Sequence, residues 1–366
     1  MRIKAAVTRE KGKLAIEELN LAEPKLGEVV VKMVASGVCH TDSSTMEMFV
    51  PTKFPIVLGH EGVGIVEKVG EGVKTLKPGD HVIMSFPSCG CCEKCVEGHP
   101  YACERSTELF FFGTYADEDT RITDDNGVKV GSLFGQGAFA THCVIDERNA
   151  VKVDPDVDLK ALCSLGCGVQ TGVGTVLNRM KPNPGDTFVV FGCGAVGISG
   201  IMGAKLAGCS TIIGVDIVPS RLELAKECGA THVINGRECS DVPAEIKRLT
   251  GGKGAHFALE ASGVPVLIRQ MLESVRMEGL AVQVSMAGSS VDLDVTRLFV
   301  GPCVTFAGIV EGGANPQLLI PQLVQFYKEG LLPVDKMNKY YPFSEIQQAF
   351  EDSHNGTAIK PVVVFD

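Results

Sequence analysis

Fourteen cysteines lie in this 366-residue chain, and their spacing separates two kinds of chemistry. Cys89, Cys92, Cys95 and Cys103 follow the pattern C-x2-C-x2-C-x7-C in a hydrophilic stretch. Four thiolates at that spacing suit a closed, tetrahedral, structural zinc site. Cys91 falls inside the cluster, but one intervening residue from Cys89 gives a poor bite for the same ion. Cys39, His60 and Cys167 are far apart, yet each lies among glycines and polar groups: Gly37-Val38-Cys39-His40-Thr41-Asp42, Gly59-His60-Glu61-Gly62 and Leu165-Gly166-Cys167-Gly168. Two thiolates and one imidazole leave a fourth position open to water or substrate, the arrangement of a catalytic zinc. Asp42 is placed to accept an N–H from His60 and orient its ring, and Glu61 to tune the metal from behind.

A second motif is Gly192-Cys193-Gly194-Ala195-Val196-Gly197, which follows an expected strand and opens an expected helix, as a dinucleotide turn requires. Gly192 allows the tight turn, Gly194 the approach of a pyrophosphate, and Gly197 the close packing of helix on strand. The helix start then faces the phosphates with its positive dipole end. Asp216 ends the next expected strand, where a carboxylate accepts from the adenosine ribose and repels a 2′-phosphate, so NAD is expected over NADP. Arg221 lies one helical turn further and could reach the same ribose. Zinc beside a dinucleotide points to alcohol oxidation by hydride transfer.

Two regimes of pattern must position these residues. Residues 1–168 read as short strands and turns, with strands at 28–34, 62–70 and 81–84. From residue 171, helix and strand alternate. Helices are expected at 171–180, 199–207, 220–228 and 242–249, and strands at 186–191, 211–215, 232–234, 255–260 and 280–284. Such alternation means a doubly wound parallel sheet. The tail carries helices at 318–328 and 344–351 and a strand at 361–365, and is expected to return to the first domain. The domains are thus 1–168, 169–311 and 312–366. The acidic run 115–126 reads as an exposed, solvated loop.

Composition narrows the class further. A net charge of −10 argues against a nucleic-acid partner. The longest apolar runs fall short of a membrane span. The first ten residues are broken by charge and hold no apolar signal core, so a cytoplasmic protein is expected, with thiols free or on metal rather than in disulfides.

Taken together, these residues resemble the zinc-dependent alcohol dehydrogenases of the medium-chain dehydrogenase/reductase superfamily, over essentially the whole chain. The zinc signature stands as Gly59-His60-Glu61-x-x-Gly64-x5-Gly70-x-x-Val73. A narrower likeness is to the aryl-alcohol (benzyl alcohol) dehydrogenases, carried by Cys39-His40-Thr41-Asp42, the segments 165–172 and 215–226, Gly308-Ile309-Val310-Glu311-Gly312 and Ile359-Lys360-Pro361. Geraniol and perillyl alcohol dehydrogenases look similar over the same stretches. The resemblance implies an α/β protein with a GroES-like β-rich catalytic domain and a Rossmann domain. It implies two zinc ions and NAD, and reversible oxidation of a primary alcohol to the aldehyde. It also implies a homodimer or homotetramer paired through the cofactor domains. By the same likeness, Thr41 bonds the alcohol hydroxyl, His40 and Lys360 contact the pyrophosphate, and Thr171 and Val196 line the nicotinamide pocket. Many relatives place a histidine five residues after the first zinc cysteine to end a proton relay. Ser44 stands there in this chain, so protons must leave by another route. A thiol-adduct-dependent formaldehyde dehydrogenase is the nearest enzymatic alternative, and a non-catalytic zinc and nucleotide sensor the alternative from another class.

Overall fold

A computed structural model of the chain describes residues 1–286 and 290–366. The chain divides into two compact units. The first comprises Met1–Cys167, Asn315–Lys328 and Met337–Asp366, and the second Gly168–Ala314 and Glu329–Lys336. Residues 312–314 and 329–336 therefore group with the second unit, although the whole tail 312–366 was expected to return to the first.

The first unit is built on β-structure. Arg2–Thr8, Ala15–Leu21, Ile122–Thr123, Lys129–Ser132 and Ile56–Val57 close a small barrel. Beside it a seven-stranded sheet runs in the order Ala150–Val153, His81–Met84, Glu61–Val69, Glu28–Gly37, Lys360–Val364 and Asn338–Pro342, with His142–Asp146 also paired to Glu28–Gly37. Glu28–Gly37 is the hub. Val29, Val30, Val31, Met33 and Ala35 are all buried, as expected when both faces of a strand are covered. Its last residue, Gly37, pairs with both Glu61 and Val362. That register brings the segments bearing Cys39, His60 and Lys360 to one place.

The acidic run is more than a solvated loop. Ile122–Thr123 is a barrel strand, and Tyr115 and Arg121 are buried. Arg121 donates to Glu28 at 2.6 Å and to Asp117 at 2.9 Å, with its guanidinium over the Tyr115 ring. Local charge pattern could not show that this arginine has a partner on a distant strand.

The second unit holds a six-stranded parallel sheet in the order His232–Asn235, Thr211–Asp216, Thr187–Phe191, Ala255–Glu260, Val275–Gln283, Thr305–Gly308. Numbered along the chain this is 3-2-1-4-5-6, the order of a Rossmann sheet. Val189, Phe191, Ile213, Val215 and Ala258 on its strands pack with Ile246, Ile268 and Met271 of the helices Val242–Leu249 and Pro265–Ser274. Helix Ala195–Leu206 starts four residues earlier than the expected 199, because Gly194 caps it. Helix Gly168–Gly174 continues as π-helical turns over Thr175–Met180. Among the described residues, no helix is long and apolar enough to cross a membrane.

Candidate active site and metal centres

Cys39 sits at the start of the short helix His40–Met46. The Asp42 carboxylate turns back on that start and accepts from the Cys39 N–H at 2.9 Å, a common way to satisfy a first-turn donor. Its other oxygen accepts from the Gly59 N–H at 2.9 Å and from His60 Nδ1 at 3.1 Å. One fully buried acid thus joins the two segments and fixes the tautomer of His60, with Nδ1 as donor. Gly59 adopts φ +94°, and a Cβ there would lie 2.5 Å from the Phe139 nitrogen, so only glycine permits this approach.

His60 Nε2 is buried with no hydrogen-bond partner among the described residues. It lies with the sulfurs of Cys39 and Cys167, all three ligand atoms within 4.8 Å of one another. A buried nitrogen without a partner is costly unless something binds it, and two thiols and an imidazole are a donor set for zinc. Contact with the Cys167 thiol draws the Cys39 thiol well below its usual range despite burial, and His60 adds to the effect. Burial works against the protonated His60 ring, but Asp42 outweighs it and holds the ring's pKa well above the ordinary value. Cys167 reaches the group from the end of a short 3-10 turn, Cys163–Gly166. Ser85 donates to the Gly166 carbonyl at 2.8 Å, and a Cβ on Gly166 would lie 2.0 Å from the Met84 oxygen.

Thr41 is half-buried, with its hydroxyl 3.8 Å from the Cys39 sulfur. His40 is exposed on the first helical turn, and Ser44 lies half-buried one turn further. Lys360 departs from the expected contact with a pyrophosphate. Its ammonium is buried and donates to Glu61 at 2.7 and 2.9 Å and to the Val38 carbonyl at 3.2 Å. Burial disfavours this charge, but Glu61 outweighs burial and raises the lysine pKa above its ordinary value. A side chain so held braces the carboxylate next to His60 rather than reaching outward. Gly37 makes room for this pair, since its Cβ would fall 2.0 Å from a Glu61 oxygen.

The sulfurs of Cys89, Cys92, Cys95 and Cys103 also lie within 4.8 Å of one another. Cys91 is exposed and outside the group. Backbone N–H groups point at the sulfurs, Cys92 to Cys89 and Cys89 to Cys103, each at 3.3 Å. Burial pushes the Cys89 thiol up, but the N–H groups of Cys91 and Cys92 bring it down to about 6. Four thiols so arranged suit a closed zinc site.

In the second unit, Gly192 turns at φ +93° and donates to the Val215 carbonyl at 2.8 Å. A Cβ on Gly197 would fall 1.8 Å from the Gly192 oxygen, whereas one on Gly194 would meet nothing within 4 Å. The helix start Gly194–Ala195–Val196 is thus open to an approaching phosphate, and Gly197 closes the packing behind it. The Asp216 carboxylate accepts from the N–H groups of Cys193 (2.7 Å), Ile217 (2.7 Å) and Val218 (2.9 Å). Arg221 Nη1 lies 3.9 Å from the same carboxylate. Val196 packs against the helix Gly168–Gly174, where a Cβ on Gly172 would fall 2.3 Å from the Val196 oxygen. Thr171 and Gln170 on that helix donate to Glu311, at 3.3 and 2.9 Å. These residues fit a dinucleotide. Sequence reasoning missed Gln136 and Phe134, which pack against the metal-ligand segments and carry no motif.

Residues 25–155 match the model of the alcohol dehydrogenase GroES-like domain, and residues 195–329 that of the zinc-binding dehydrogenases. A geraniol dehydrogenase of Castellaniella defragrans is 40% identical over 99% of this chain and 97% of its own length. An S-(hydroxymethyl)glutathione dehydrogenase of Paracoccus denitrificans is 34% identical over the whole of both chains. The crystal structure of benzyl alcohol dehydrogenase from Acinetobacter calcoaceticus superimposes with a TM-score of 0.95, at 40% identity and full coverage of both chains. With two metal-ligand groups, a glycine turn on a Rossmann sheet and relatives matched end to end, the chain belongs to the zinc-dependent alcohol dehydrogenases of the medium-chain dehydrogenase/reductase superfamily.

Proposed function

We propose that this enzyme reversibly oxidises primary alcohols whose carbinol carbon is bonded to an sp² carbon, benzylic or allylic, with NAD as hydride acceptor. The observation that carries the reaction is the buried, unpartnered Nε2 of His60 beside the thiols of Cys39 and Cys167. The substrate class draws on the benzyl alcohol and geraniol dehydrogenases that the chain resembles, since both alcohols share an unsaturated neighbour. When bound, zinc supplies a Lewis acid that acidifies the alcohol, and NAD supplies the hydride acceptor.

The chain's own residues do the rest. Asp42 holds the His60 ring in one tautomer. The Thr41 hydroxyl, beside the Cys39 sulfur, accepts the alcohol proton and hands it on. Gly192, Gly194, Ala195, Val196 and Gly197 cradle the pyrophosphate, with His40 contributing. Asp216 accepts from the ribose with Arg221 alongside, and Thr171 lies against the nicotinamide. The reading places the enzyme in the cytoplasm. It also has copies pairing through the second unit, where Thr305–Gly308 is a sheet edge.

NADH absorbance with benzyl, cinnamyl, geranyl and short aliphatic alcohols tests the substrate class, and a preference for the unsaturated alcohols is expected. The S-(hydroxymethyl)glutathione dehydrogenase relative supports one second reading. Turnover confined to formaldehyde plus glutathione would establish it and remove ours.

A further inference from the structure

We propose that the turn Leu133–Gly137 is a brace for the catalytic metal ligands, and that Phe134 is the positioning residue that fixes the His60 imidazole. This rests on reading Cys39, His60 and Cys167 as a metal site.

Phe134 is held in a conformation that a bulky residue rarely adopts, with φ 52° and ψ 31°. Gly135 and Gly137 beside it also have positive φ, so the segment is left-handed at three positions and only one carries a side chain. Glycine would suit position 134 without strain. Sparsely populated backbone of this kind persists only where the surroundings over-determine it, and it concentrates at functional sites. Here the ring is what the position supplies. Phe134 stacks on His60 with centroids 4.7 Å apart and planes at 28°. Its other neighbour is Phe110, stacked at 4.4 Å and 20°, with Phe111 edge-on at 5.7 Å. Phe134 is thus clamped in a short aromatic stack that ends on the ligand ring.

The same turn is tied to two ligand-bearing segments. Gln136, fully buried, donates to the Ser85 carbonyl at 2.9 Å and accepts from the Gly62 N–H at 3.4 Å. Gly62 lies two residues after His60. Ser85 holds the Gly166 carbonyl, one residue before Cys167. The His60 ring itself has three constraints. Asp42 acts in the plane at Nδ1, the thiols lie with Nε2, and Phe134 covers a face. A hydrogen bond in the ring plane does little to resist tilting about that bond. The stacked phenyl does resist it, and its attraction grows when a cation withdraws electrons from the imidazole.

The test uses the full-length enzyme with cobalt in place of zinc, and compares Phe134→Leu, Phe134→Gly and Phe134→Tyr with the parent. Ligand-field bands report the geometry at the Cys39–His60–Cys167 site. Transfer of metal to a chelator reports its hold, and metal kept by the four-cysteine cluster reports an intact fold. Leu and Gly should shift the bands and speed metal release by about tenfold, the scale of losing a group that orients a metal ligand, while Tyr restores both. Parent-like bands and release in Leu and Gly, with the cluster metal retained, would overturn the proposal. So would variants that lose only thermal stability. A parent enzyme that holds cobalt in the cluster alone would overturn the metal-site reading itself, which separates the two failures.

Discussion

At the scale of single residues, Asp42 and Lys360 do different work with buried charge. Asp42 collects neutral and imidazole donors; Lys360 forms a salt bridge with Glu61, both side chains at most 2% exposed. A buried pair adds little net stability when formed, but breaking it from one side strands the other charge. Lys360→Met should therefore destabilise the protein by about 3–5 kcal/mol, and the double variant with Glu61→Gln should recover much of that. Urea unfolding of the two variants checks both steps. Glu61 holds the lysine pKa above its ordinary value, so the ammonium stays charged until pH climbs past that raised value, whereas burial raises the Glu61 carboxyl and the pair loses its charge first from the acid side. With the ammonium gone the stranded carboxyl takes up a proton more readily, so the loss in Lys360→Met should be smallest at low pH and grow as pH rises. Ser44 and Asp216 carry two further expectations. Serine cannot hold a proton near neutral pH and an imidazole can, so Ser44→His should raise alcohol oxidation near pH 7. A large isotope effect with deuterated alcohol must first show that hydride transfer limits the rate, and an unchanged pH–rate profile would then mark the missing relay as irrelevant. Asp216→Ser should narrow the preference for NAD over NADP, measured as the ratio of kcat/KM values. Equal rates with both cofactors in the parent would remove the premise. The contact between Asp42 and His60 was legible in sequence because both residues sit in short glycine-flanked motifs. The partner of Lys360 was not, because it is fixed by strand register: Lys360–Val364 runs antiparallel to Glu28–Gly37, which also pairs with Glu61.

At the scale of elements, the buried parallel strands were readable because their sequences are continuously apolar: Thr187–Phe191 and Thr211–Asp216 fall within a residue of the expected ranges. Helix Pro265–Ser274 and strand Thr305–Gly308 were missed. The helix opens at Pro265 after Ser-Gly-Val and reads locally as a turn. The edge strand is only four residues long and is defined by its pairing with Val275–Gln283 rather than by any periodicity of its own. Strand 280–284 was placed too short for a related reason, since it begins at Val275 directly after the helix. The glycine turn was legible because its chemistry demands specific residues at fixed offsets. The close contact behind Gly197 makes a sharp test. Gly197→Ala would drive a methyl into the Gly192 carbonyl and open the turn. NADH binding, followed by fluorescence, should weaken at least tenfold while both zinc ions stay bound. Parent-like NADH affinity would mean the turn does not hold the cofactor.

At the scale of the whole molecule, the two ligand groups predict unequal fates for two metal ions. The four-cysteine group has two buried and two half-buried thiols and no place for a fifth partner in a tetrahedral site. The Cys39–His60–Cys167 group leaves one coordination position open. Elemental analysis should give two zinc ions per chain. A soft chelator should remove the ion with the open position first, abolishing turnover while circular dichroism and thermal unfolding change little. The second ion should leave slowly, and its loss should coincide with unfolding of the first unit, because a closed structural site contributes its binding energy to folding. Cys92→Ser should reproduce that second stage alone: lower thermal stability and one zinc per chain, with the remaining ion still reporting a Cys39–His60–Cys167 spectrum under cobalt. A single-phase loss of both ions, or unchanged unfolding in Cys92→Ser with full zinc retention, would show that the two groups are not divided into catalytic and structural roles. The Cys39–His60–Cys167 group is assembled by register between distant segments, and the hydrogen bonds of Asp42, Lys360 and Gln136 reinforce that register. Its fold should survive the loss of its ion. The cluster lies largely in a single loop, where short helical turns and N–H···S contacts need the ion to fix four sulfurs at one point.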